Sequence, residues 1–113
     1  MFKQLVCLAF VVGSAALAET ASAQDGDPIQ GRMHAERLCA DCHHIGPGPE
    51  PLTAMAGPPF ASVVKTKGMT AMALGVWLQT SHPTMPNIML RPETRADIIA
   101  YILSLKKPEQ KAG

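Results

Sequence analysis

Cys39-Ala40-Asp41-Cys42-His43 sets two thiols three positions apart and an imidazole directly after the second. Side chains at i and i+3 on a helical turn point to one side. Thiols so placed can add to the two vinyl groups of a haem, and the adjacent histidine is then carried beneath the macrocycle to ligate its iron. Cysteine pairs at this spacing have other uses. A structural disulfide suits an oxidising compartment, and a thioredoxin-type redox pair shares the C-x-x-C spacing but expects a βαβ setting that this sequence lacks. Structural zinc needs two further ligands; with Cys7 set apart in the N-terminal apolar run, His34, His44 and His82 remain, none at a second paired spacing.

An iron held by one histidine has a sixth position to fill. Met33, Met55, Met69, Met72, Met85 and Met89 are in reach by sequence, although a methionine more often fills a gap in an apolar core. Met85 is singled out by Pro83-Thr84-Met85-Pro86, where two prolines stiffen a loop without helical periodicity, far enough from His43 to reach the opposite haem face. Met89 and His82 are the alternatives. His34 and His44 lie too near His43 to reach that face and read as surface or haem-edge residues. Phe60, Trp77 and Tyr101 are candidates for the crevice wall.

The elements that must position these residues are short helices. Asp27-Pro28-Ile29-Gln30 is a good helix opening, and a first helix is predicted from Pro28 to about Leu38. Pro47, Pro49, Pro51, Pro58 and Pro59 exclude continuous helix or central strand between Ile45 and Pro59. Phe60 to Lys67 forms a short helix with Phe60, Val63 and Val64 inward, stopped by Gly68 in a left-handed cap. Thr70 caps a third helix, in which Leu74, Trp77 and Leu78 recur at helical spacing before Pro83. After a loop from Ser81 to Leu90, Pro92 and Glu93 open the last helix. Ile98, Tyr101, Ile102 and Leu105 form its apolar stripe, and Lys106 and Lys107 sit near its negative end; the tail from Pro108 to Gly113 reads as disordered.

Composition agrees with one small all-α domain. The 113 residues are 47% hydrophobic and 4% aromatic, with ten prolines and nine glycines, which disfavours a β-sandwich and leaves no room for a large enzyme. A net charge of +1 without a dense Lys/Arg patch excludes nucleic acid as a partner. Met1-Phe2-Lys3, the apolar run Leu5 to Ala18 and Ala21-Ser22-Ala23 read as a secretory signal peptide over residues 1–23, cleaved after Ala23 or Ala18. Residues 24–113 are then the exported, periplasmic domain. Only a retained leader would bring a membrane into contact with it.

The sequence resembles the class I cytochrome c family in its small periplasmic form, over nearly the whole mature chain. Gly31 ahead of the C-x-x-C-H motif, Met85-Pro86, and Ile98, Tyr101 and Leu105 in order carry the resemblance. It implies a cytochrome c fold of four or so short helices and proline-rich loops wrapped around one covalent haem c per chain. Cys39 and Cys42 would hold that haem, His43 and Met85 its iron, and the last helix would cross the first. The family often supports its histidine through a proline carbonyl after the motif, and Pro47, Pro49 and Pro58 qualify. Ala35 departs from an aromatic common in the family, and Arg91 from a Ser or Thr cap. The implied function is single-electron transfer between a donor and an acceptor redox protein, by a monomer that is a free carrier or a subunit of a respiratory or dehydrogenase complex. It is no enzyme. The alternative is a haem-based ligand sensor or peroxidase-like protein with a displaceable sixth ligand, for which His82 is the distal acid-base candidate.

Overall fold

The computed structural model describes residues 26–49, 51–53 and 55–106. Among them are four helices and no strand: α1 (Pro28–Leu38), α2 (Phe60–Val63), α3 (Ala71–Trp77) and α4 (Pro92–Ser104). The fold is all-α, as the proline and glycine pattern suggests. The leader over residues 1–23 and the tail from Pro108 lie outside the described residues. No described helix is long and apolar enough to cross a membrane.

Local chemistry explains where α1 starts. The Asp27 carboxylate accepts from the backbone amides of Ile29 (2.8 Å) and Gln30 (3.4 Å), and Pro28 occupies a first-turn position that has no amide to satisfy. α4 also opens on a proline, but Arg91 makes no side-chain cap. Its stability comes from packing against α1.

The two helices cross at Gly31. A Cβ there would overlap the Asp97 carbonyl of α4 and come within 2.9 Å of the Tyr101 Cβ. Glycine is the residue that lets two backbones approach this closely. Ala35, one turn further along α1, is fully buried and keeps the two helices close. Asp97 adds polar contacts across the crossing: its carboxylate accepts the Asp27 amide at 2.8 Å and lies 3.7 Å from His34 Nε2. Val64, Leu74, Ile98 and Ile102 complete the core beside this pair.

Two elements differ from the sequence expectation. The α-helical part of α2 stops at Val63, and the amides of Lys65 and Thr66 bond three residues back, to Ser62 and Val63, before Gly68 turns the chain at φ +81. A single turn without a side-chain cap at Pro59, ending in two β-branched valines, is too short to propagate. In α3, capped by Thr70 Oγ1 on the Ala73 amide (3.1 Å), Leu74 is buried but Trp77 is 53% exposed. Periodicity placed Trp77 on the core stripe; it faces a cleft instead.

Tyr101 ties α4 to the segment after the cysteine motif, its hydroxyl donating to the Ile45 carbonyl at 2.7 Å. Burial pushes the phenol above its ordinary value, with nearby Arg32 opposing and Glu36 adding to the shift. Above the ordinary phenol range the unfolded chain releases this proton while the folded one retains it, so stability falls as pH rises there and is fully present below. Tyr101→Phe is expected to cost about 1 kcal/mol at neutral pH and to flatten that alkaline loss. Denaturant melts in neutral and alkaline buffer check both; an unchanged alkaline slope would assign the loss to another group.

Candidate functional site

The cysteine motif is the turn that α1 leaves behind. Cys39 donates its amide to the Ala35 carbonyl (2.8 Å), and the amides of Cys42 (3.1 Å) and His43 (2.9 Å) both bond the Cys39 carbonyl. This winding gathers Cys39, Cys42 and His43 on one turn. Both thiols are free. Burial pushes the Cys39 thiol up to about 11, so the sulfur is neutral, the state suited to an apolar wall.

The proline-rich loop returns onto this turn. Gly57 donates its amide to the Cys42 carbonyl at 2.7 Å, and Phe60 donates to the His44 carbonyl at 2.9 Å. His43 Nδ1 lies 2.7 Å from the Pro58 carbonyl. A carbonyl only accepts, so the proton sits on Nδ1 and Nε2 is left with a bare lone pair. Of the three candidate prolines, Pro58 is the one His43 meets. Phe60 backs the imidazole, ring centroids 5.4 Å apart and tilted by 46°.

Gly57 was not legible as a site residue. A Cβ there would lie within 2.7 Å of His43 Nδ1 and 2.8 Å of Nε2, so only glycine lets the loop lie against the ring. The available signal was a glycine directly before Pro58-Pro59 in a loop that has to deliver a carbonyl.

Between the motif and the opposite loop lies a cavity of about 310 Å³. Cys39, His43, Phe60, Trp77, His82 and Met85 share its wall, with Leu74 and Ile102 among the apolar groups behind them. Cys42 stands on the motif turn but is not part of that wall, and neither is Tyr101, which faces Gly31 and Ile45. Of the three aromatic candidates, Phe60 and Trp77 line the cavity and Tyr101 does not. Met89 is 88% exposed and does not line the cavity, whereas Met69, Met85 and His82 do.

The chain is 35% identical over 101 residues to cytochrome c-552 of Bradyrhizobium diazoefficiens, an alignment that covers 89% of this chain and 92% of that protein. The chain belongs to the class I c-type cytochrome family. No protein-family model matches it, and no solved structure does.

As a member of that family the cytochrome carries one haem c and is an electron-transfer protein. The residues present fit the group. Two free thiols stand on one turn, a histidine beside them keeps Nε2 bare, and the adjoining cavity is walled largely by apolar side chains. A flat apolar macrocycle needs such a wall, and a small core such as this one is stabilised by gaining it.

Proposed function

We propose that the cytochrome is a periplasmic carrier of single electrons in which Cys39 and Cys42 would hold the haem as thioethers and His43 and Met85 would ligate its iron. The observation that carries this reading is His43 itself, with Nδ1–H committed to the Pro58 carbonyl at 2.7 Å and Nε2 bare beside a cavity that it shares with Met85. Bound haem c supplies a one-electron Fe(III)/Fe(II) couple. The Pro58 carbonyl fixes the tautomer and orientation of the imidazole and raises its basicity. The Met85 thioether favours the reduced state relative to a second imidazole. Phe60, Leu74 and Ile102, which line the cavity, would keep water from the iron.

With both His43 and Met85 as ligands the iron would offer no place for a substrate, which separates a carrier from an enzyme. Its donor and acceptor are redox proteins, met by a monomeric domain that is a free carrier or one subunit of a larger complex. Residues 1–23 direct export, and residues 24–113 form the working domain.

Intact mass of the exported protein should equal the mature chain plus one haem, surviving acid extraction, and Cys39→Ala should lose that stable attachment. A bare polypeptide mass would overturn the reading. Rapid carbon monoxide binding by the ferrous wild type would instead favour the ligand sensor or peroxidase-like alternative, because it requires an open sixth position.

A further inference from the structure

We propose that His82 is a reserve axial ligand, which takes the iron whenever Met85 leaves it and so keeps the sixth position closed. This rests on the reading of Met85 as the resident ligand. His82 Nδ1 lies 3.1 Å from the Thr80 carbonyl, which can only accept, so the proton sits on Nδ1 and Nε2 is bare. His43 shows the same arrangement with Pro58. An imidazole tied to a carbonyl through one nitrogen and bare at the other is the form in which histidine binds metals.

The bare nitrogen points to the right place. His82 Nε2 is 2.8 Å from Met85 Sδ, so the ring nitrogen and the thioether sulfur meet in the cavity wall. The two side chains stand next to each other in the wall of one cavity, so either can be offered to a group bound there. The imidazole is held there. Trp77 packs edge-on against it with centroids 4.9 Å apart, and Thr80, which carries the accepting carbonyl, is anchored through its own hydroxyl to the Val76 carbonyl at 2.9 Å.

The turn between the two donors is specialised as well. Thr84 has φ +70, the one non-glycine residue in the left-handed region among those described, and the Met85 amide reaches back to the His82 carbonyl at 3.4 Å. A β-branched residue adopts this conformation only where its surroundings impose it. It holds Met85 beside His82. The consequence is chemical: replacing a thioether by a second imidazole lowers the reduction potential, and it also denies the iron to small ligands.

The test uses the exported holoprotein with Met85→Leu, which fills the space but offers no donor, alone and combined with His82→Ala. Met85→Leu should remain low-spin with a two-imidazole paramagnetic resonance signature and a lowered potential. The double variant should become high-spin. If His82 holds the iron nine-tenths of the time, carbon monoxide should bind the ferrous double variant about tenfold more tightly than Met85→Leu. His82→Ala alone should keep the wild-type spectrum, and Met85→Ala repeats the comparison should leucine perturb folding. A high-spin Met85→Leu that binds carbon monoxide like the double variant overturns the proposal and leaves Met85 as resident ligand; so does a double variant that stays low-spin. A wild-type spectrum in Met85→Leu together with a changed one in His82→Ala overturns the Met85 assignment itself.

Discussion

Gly31→Val is expected to lower the stability of the cytochrome by about 3 kcal/mol, the upper end of the usual cost of overpacking. The first atom of any new side chain meets the Asp97 carbonyl, which is backbone and cannot swing aside, and then the Tyr101 Cβ at 2.9 Å. α4 has to move off α1 to admit it. Gly31→Ala makes the sign of the effect diagnostic, because alanine in a helix interior otherwise gains up to about 1 kcal/mol over glycine. A net loss in that variant means that the collision outweighs propensity. Guanidinium unfolding of the holoprotein measures both, with the visible spectrum unchanged in the folded state. A loss below about 0.5 kcal/mol, within the range of ordinary surface substitutions, would show that the helices do not meet at Gly31.

Gly57→Ala should weaken the histidine side of the site without altering any proposed ligand. The added methyl falls on the His43 ring, within 2.7 Å of Nδ1, and the ring is already held by the Pro58 carbonyl. It has to turn, lengthening that hydrogen bond and re-aiming Nε2. Loss of such a supporting group typically costs about 10- to 100-fold in metal affinity, or about 1.4 to 2.7 kcal/mol. The expected signs are a shifted potential and earlier loss of the low-spin spectrum in denaturant, with the haem still attached. Pro58→Ala retains the accepting carbonyl and should be milder. Equal behaviour of Gly57→Ala and wild type would mean that the loop gives way rather than the ring.

Much of the site was legible because its determinants are local. Cys39, Cys42 and His43 are fixed to one turn by sequence spacing, and Asp27, Thr70 and Pro92 mark helix starts within a residue or two of themselves. What was not legible depends on approach in space. Trp77 has the periodicity of a core residue, and no pattern along one helix distinguishes a core face from a cavity wall. Tyr101 lies against Gly31 at the helix crossing and outside the cavity wall, which its spacing along α4 does not reveal. Pro47, Pro49 and Pro58 are equivalent as sources of an accepting carbonyl until the loop closes, and Gly57 matters only because the loop closes on His43. The ends of α2 depend on a single uncapped turn, where propensity decides little.

Asp97 grips the start of α1 through its carbonyl at Gly31 and its carboxylate at the Asp27 amide, contacts separated along the chain by nearly the whole domain. Topologically, everything from Cys39 to Leu90 is then a single long loop closed by one seam. Closing so long a loop carries most of its entropic cost at the seam and little more for each added residue. Lengthening the chain within that span therefore adds little to the cost of keeping α1 and α4 joined.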